Sequence, residues 1–89
     1  PAAAAPLSIV GVRQGDQLRR PAASATPLRL KLSALGGSGQ RWWFLDGTPL
    51  GSTQGADSLA LGLQERGQHQ LSVLDEGGLT ARVEFQVLE

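Results

Sequence analysis

The chain has 89 residues, no cysteine, and eight basic residues balanced by eight acidic ones. This length allows one domain, and the absence of cysteine excludes a disulfide. Lys31 is the only lysine and the seven arginines are scattered, which argues against nucleic acid or an anionic membrane as a partner. The apolar runs are far shorter than the roughly 20 residues of a membrane helix. We therefore expect no membrane contact by the domain itself.

The chain is predicted to begin with the remnant of a linker, residues 1–6. Its alanine run between two prolines is too short to form a stable helix. A single domain is then predicted over residues 7–89. The first strand is expected at 7–13, with a short extended continuation at 17–20.

Alternation with a period of two marks most of the remaining strands. Leucines alternate with charged or polar residues from 28 to 33, which predicts a half-buried antiparallel strand. About seven short strands with turns every 8–12 residues predict an all-β fold, an immunoglobulin-like antiparallel β-sandwich without a disulfide. Three later segments repeat the alternation, with these inward residues: Leu59, Leu61 and Leu63; His69, Leu71 and Val73; and Leu79, Ala81, Val83, Phe85 and Val87.

The aromatic segment at 41–45, Arg-Trp-Trp-Phe-Leu, is the predicted central strand. Asp46-Gly47 follows it and supplies the two positive-φ positions of a type I′ hairpin turn. The return strand at 48–51 contains Pro49, which indicates the edge of a sheet.

Strand parity divides the aromatic segment into two faces. Trp43 and Leu45 share one face with Arg41, whereas Trp42 and Phe44 share the other. Because only one face of a sandwich strand meets the core, one of the two apolar pairs is left on the outer face. Either a loop or a terminus covers that pair, or it is an exposed patch that binds a protein or stacks on a sugar ring.

The motifs of common catalytic sites are missing. The sequence contains no Ser-x-x-Lys, Lys-Thr-Gly or Gly-x-Ser-x-Gly. One histidine without cysteine cannot form a His/Cys zinc site. We expect a domain that is not an enzyme by itself and has no cofactor, no metal and no catalytic residue.

The remaining polar residues have structural interpretations. His69 is expected to be hydrogen-bonded near one end of the sandwich, and Asp46 and Asp75 are expected to cap backbone amides in turns. The alternative is a calcium site, which would require the loops carrying Asp46, Asp75 and Glu76 to meet at one end.

Four segments together resemble a known family. They are Trp-Phe-Leu-Asp-Gly at 43–47, Leu-Ala-Leu-Gly-Leu at 59–63, Gly-x-His-x-Leu-x-Val-x-Asp-x-x-Gly at 67–78, and Val-Glu-Phe-Gln-Val at 83–87. The combination is similar to the C-terminal domain of bifunctional penicillin-binding proteins of the 1C type, over nearly the whole chain. The resemblance implies that Trp43 and Leu45 are the buried pair.

The parent enzymes of that family are anchored in the inner membrane, and their glycosyltransferase and transpeptidase domains build peptidoglycan in the periplasm. The resemblance therefore implies a non-catalytic accessory or protein-interaction module of a periplasmic peptidoglycan synthase. Its partner would be a periplasmic protein or the parent's own transpeptidase domain. The alternatives are a sandwich that binds carbohydrate, with peptidoglycan as the ligand, and a structural spacer packed on the transpeptidase domain.

These considerations give two sets of residues. The candidate partner-binding residues are Trp42, Phe44 and Arg41. The predicted structural core consists of Trp43, Leu45, Leu59, Leu61, Leu71, Val73, Val83 and Phe85.

Overall fold

The computed structural model describes residues 6–19, 28–63 and 65–88, so that the linker predicted at 1–6 lies outside the described residues except for Pro6. Within these ranges no helix is long and apolar enough to cross a membrane. The described residues form eight strands: β1 Ser8–Val10, β2 Gln17–Arg19, β3 Leu28–Leu35, β4 Gln40–Leu45, β5 Thr48–Gln54, β6 Leu59–Leu63, β7 Gly67–Asp75 and β8 Thr80–Leu88.

The strands make two sheets that pack as a sandwich. One sheet has the order β1-β3-β6 and the other the order β2-β8-β7-β4-β5. Every pairing is antiparallel except that of β2 with β8, which is parallel. The predicted all-β sandwich is confirmed. The structure has one strand more than the seven or so that were predicted. The additional strand is β2, which was expected as a continuation of the first strand but belongs to the opposite sheet.

Gly11 is the point at which the chain leaves the first sheet. Its φ is +114°, and a Cβ at this position would overlap the carbonyl oxygen of Lys31 on the neighbouring strand. Glycine alone tolerates both conditions. Because β1 ends at Val10, the alternation breaks here, and Val12 turns into the core with 2% exposure.

Trp43 is the largest fully buried side chain, and its indole N–H donates to the hydroxyl of Thr53 at 2.9 Å. Of the predicted core residues, Trp43, Leu61, Leu71, Val73 and Phe85 are buried, and Leu45, Leu59 and Val83 are partly buried against them. Leu79 was expected to point inward but is 37% exposed, because β8 begins only at Thr80.

The hairpin between β4 and β5 forms as predicted. Asp46 and Gly47 have φ values of +51° and +84°, as a type I′ turn requires. β5 is longer than expected and lies at the edge of its sheet. A bulge between Trp43 and Phe44 sets Gly51 and Pro49 opposite them, so that Leu50 is the extra residue of β5.

The sandwich has two ends, which we name by what closes them. At the loop end, the loop at 36–39 meets the turn at 75–78, and the chain enters through Leu7, which is buried. At the hairpin end lie the Asp46-Gly47 turn and the start of β7.

Trp43 and Trp42 should respond very differently to truncation. We expect Trp43→Ala to lower the free energy of unfolding by about 3–5 kcal/mol, because it opens a cavity in the core. Trp42→Ala, at a position 37% exposed, should cost less, roughly 1–2 kcal/mol. Urea titrations of the two variants measure this difference, and equal losses would contradict the described packing.

Candidate functional site

An apolar patch lies on the outer surface of the five-stranded sheet. Because Trp43 and Val73 point into the core, their neighbours Trp42, Phe44 and Leu74 point outward. Trp42 is 37% exposed and pairs directly with Leu74 on β7, while Phe44 is half-buried. We call the surface formed by Trp42, Phe44 and Leu74 the aromatic face.

Polar side chains border the aromatic face on one side. Phe44 lies opposite Ser72 on β7, which in turn lies opposite Arg82 on β8. A shallow depression of about 490 Å³ is formed next to them by Gln70, Ser72, Thr80, Ala81 and Arg82. Hydroxyl, amide and guanidinium groups therefore accompany the exposed tryptophan.

Arg41 lies in the interior, with 4% of its surface exposed. Its guanidinium donates to the carbonyl oxygens of Gly36 at 2.7 Å and Gly55 at 2.9 Å. Nη1 is buried without a hydrogen-bond partner among the described residues. Arg41, which was predicted to bind a partner, is therefore not part of an exposed binding surface. Its buried side chain connects the loops at the loop end.

Asp75 is the acceptor that holds the loop end together. It is 2% exposed, and its two carboxylate oxygens accept from the backbone N–H groups of Ser38 at 2.9 Å and Leu79 at 2.8 Å. Burial would raise the pKa of Asp75, but these bonds, a bond from Gly77 and the charge of Arg41 lower the pKa below its usual range. Asp75 caps backbone amides, in agreement with the sequence-based interpretation.

His69 occupies the hairpin end and joins two turns. The ring is 5% exposed; Nδ1 lies 2.8 Å from a carboxylate oxygen of Asp46, and Nε2 lies 2.9 Å from the carbonyl oxygen of Glu65. The other oxygen of Asp46 accepts from the backbone N–H of Gln70 at 2.8 Å. The ring also lies 5.7 Å from that of Phe85, centroid to centroid.

Both partners of His69 are acceptors, which favours the protonated ring. A neutral imidazole carries one N–H and satisfies one of them, whereas the imidazolium donates to both. Burial lowers the pKa of His69, but the bonds to Glu65 and Asp46 and the charges of these two residues outweigh it, so that the pKa is raised. Burial raises the pKa of Asp46, but the bonds from His69 and Gln70 and the charge of His69 outweigh this effect, so that the pKa is lowered.

The Asp46–His69 pair superficially resembles a catalytic dyad beside a cleft. The cleft has a volume of about 530 Å³ and apolar walls formed by Leu45, Leu50 and Leu63. However, Nε2 of His69 is already engaged by a carbonyl oxygen, so it is not free to accept a proton from a nucleophile. The pair stabilises the hairpin end.

The acidic residues considered for calcium do not come together. Asp75 lies opposite Arg41 at the start of β4, whereas Asp46 follows the end of the same strand. The five residue steps from Arg41 to Asp46 separate the two groups by roughly 17 Å. Within the described ranges, no group of three potential metal ligands forms.

The sequence did not identify the buried role of Arg41. One signal was available, since Arg41 shares strand parity with Trp43 and Leu45. A buried arginine requires acceptors, however, and these are carbonyl oxygens of two loops that only the folded chain brings near.

The raised pKa of His69 predicts a pH-dependent stability. The charged ring stabilises the fold fully below the unfolded pKa of about 6.5, and this contribution is lost as the pH rises through the raised folded pKa. Urea unfolding between about pH 5.5 and 8.5 should show stability falling with pH, and His69→Gln should flatten the curve. The chain has no second histidine to obscure the effect. An unchanged slope in the variant would contradict the pairing.

Asp75→Asn should destabilise the loop end. The carboxylate accepts a hydrogen bond from each of two backbone N–H groups. An amide has only one oxygen, so its NH2 group would face one of these donors and that bond would be lost. The substitution also removes the negative charge near Arg41. We expect a clear drop in the melting temperature. Glu76→Gln is the matched control, because Glu76 is exposed and accepts from the N–H of Gln40 alone among the described contacts. An equal drop in both variants would count against Asp75 as the central acceptor.

Comparison with known proteins identifies the family. The model of the penicillin-binding protein C-terminus family matches residues 1–85. Penicillin-binding protein 1C of Escherichia coli K12 is 43% identical over 81 residues, which cover 90% of this chain and 10% of that protein. No solved structure matches the chain significantly. The chain thus spans about a tenth of the length of the curated relative, and it belongs to the penicillin-binding protein C-terminus family.

Proposed function

We propose that this domain is a non-catalytic accessory module of a longer peptidoglycan synthase, and that it binds a periplasmic protein through the aromatic face. Its family and its relative support the parent, which we place in the periplasm with a membrane anchor. The parent's glycosyltransferase and transpeptidase activities belong to the same proposal. The exposed indole of Trp42 carries the binding part of it.

Trp42 is suited to such a role because the fold does not require an exposed tryptophan at this position. The core already contains Trp43, and Trp42 lies on a flat sheet surface beside Phe44 and Leu74. Aromatic side chains are enriched among the residues that dominate protein interfaces. Its polar border of Ser72 and Arg82 resembles the rim of such interfaces.

Carbohydrate binding is the second candidate, and the polar depression favours it. An exposed indole stacks on a sugar ring, and the side chains of Gln70, Ser72, Thr80 and Arg82 lie beside it with groups that bond to hydroxyls. The glycan of peptidoglycan would be the ligand. A purely structural spacer remains the third interpretation, and it predicts that loss of Trp42 affects no binding.

One paired experiment separates these candidates. Wild type, Trp42→Ala and Leu79→Ala are used to recover proteins from periplasmic extract and to sediment with purified peptidoglycan. Leu79 is the matched control, since it is also 37% exposed but lies in the turn before β8. Truncation of a central aromatic residue costs about 2 kcal/mol or more, which is over tenfold in Kd.

Loss of a specific protein with Trp42→Ala, but not with Leu79→Ala, supports the protein partner. Loss of sedimentation with the same selectivity supports the glycan. Equal recovery in all three proteins, in both assays, would overturn binding through the aromatic face and leave the spacer.

A further inference from the structure

A second apolar patch lies on the opposite side of the sandwich. Val10 on β1 is 41% exposed and Leu35 on β3 is 52% exposed, the highest value among the large apolar residues that the structure describes. Ser8 pairs with Leu35, and Val10 pairs with Ser33. Val10 and Leu35 are therefore diagonal neighbours on one face, close enough for their side chains to form one surface.

This patch lies where the polypeptide enters the domain. Leu7 is buried at the loop end, so the chain is fixed from that residue onward, three positions before Val10. Three residues of extended chain span about 10 Å, and Ser8 is directly paired with Leu35. The polypeptide thus enters the domain within roughly 10 Å of the patch.

The outward positions of this sheet are basic, although Asp16 lines a depression beside Val10 together with Arg13. Farther from Leu35 along β3, the outward positions carry Lys31 and Arg29. The residues paired with them on β6 are Ala60 and Gly62. Among the described outward residues of this sheet there is no acidic side chain. The surface therefore fits a partner with an apolar contact bordered by acidic groups.

We propose that Val10 and Leu35 dock this domain onto the domain that precedes it in the parent polypeptide. The inference rests on the proposed function in one respect: it assumes that the chain is a module of a longer synthase. It assigns the two apolar surfaces different partners: the aromatic face remains available to another molecule, while the Val10–Leu35 surface packs within the parent.

The small size of the patch is consistent with a tethered partner. A short linker gives an effective concentration on the order of 1 mM, so an interface with a Kd of about 0.1 mM is closed roughly ten times more often than it is open. Free partners would require a much larger interface for the same occupancy.

Thiol labelling of the full-length protein tests this surface without altering it. The chain itself contains no cysteine, and any cysteine elsewhere in the parent is replaced by serine. Ser8→Cys places a reporter beside Leu35, and Ser52→Cys places a control beside Trp42 at a position that is also exposed. We expect a maleimide to react with the residue at 8 about tenfold more slowly than with the residue at 52.

Leu35→Glu, added to Ser8→Cys, should restore rapid labelling, because a buried carboxylate opens the interface. Val10→Glu should do the same, and since both side chains are partly exposed, we expect both variants to fold, which circular dichroism checks. Equal labelling at positions 8 and 52, without any effect of Leu35→Glu, would overturn the proposal. Slow labelling at 52 instead would show that the parent covers the aromatic face, which would overturn the proposed function and this assignment together.

Leu35→Glu also distinguishes the two proposals. It should release the protection at position 8 while leaving recovery of a periplasmic partner through Trp42 unchanged. If no periplasmic protein is recovered through Trp42, but the cysteine at position 8 is still protected from the maleimide, only the aromatic-face proposal fails.

Discussion

The burial of Trp43 between the two sheets is the constraint on which the rest of the structure depends. Its side chain is fully buried, and its indole N–H is satisfied by Thr53 on the neighbouring strand. Because side chains alternate along a strand, fixing Trp43 inward forces Trp42 outward. The same choice places Arg41 inside, where it needs acceptors. The core, the aromatic face and the closed loop end are therefore consequences of one register.

The two ends of the sandwich use charge in similar ways. At the loop end, Asp75 accepts backbone N–H groups from separate turns, and Arg41 donates to carbonyl oxygens of the loops around it. At the hairpin end, the two ring nitrogens of His69 lie within hydrogen-bond distance of a carboxylate oxygen of Asp46 and the carbonyl oxygen of Glu65. Most of the buried polar atoms at the two ends are paired, Nη1 of Arg41 being the exception, and these bonds stabilise both ends. The exposed apolar side chains of the two sheets, Val10, Leu35 and Trp42, lie on the sheet faces and not in these hydrogen-bonded ends.

The two outer faces differ in chemistry. The face of the five-stranded sheet combines an exposed indole with hydroxyl, amide and guanidinium groups, whereas the face of the three-stranded sheet combines aliphatic side chains with basic ones. The second face adjoins the point of chain entry. A module with such a division can remain attached to its parent on one side and present the other side to a protein or a glycan.

The sequence by itself determined the all-β class, the Asp46-Gly47 turn, the inward positions of β6 and β7, and the family, because period-two alternation and turn residues are local signals. Parity also divided residues 41–45 into two faces, but it could not decide which face is buried, since both carry an aromatic residue. Only the tertiary structure decided that β2 joins the opposite sheet through the kink at Gly11, that Arg41 is interior, and that Val10 and Leu35 are adjacent. Each of these depends on contacts between strands or loops distant in sequence, and local patterns carry no information about such contacts.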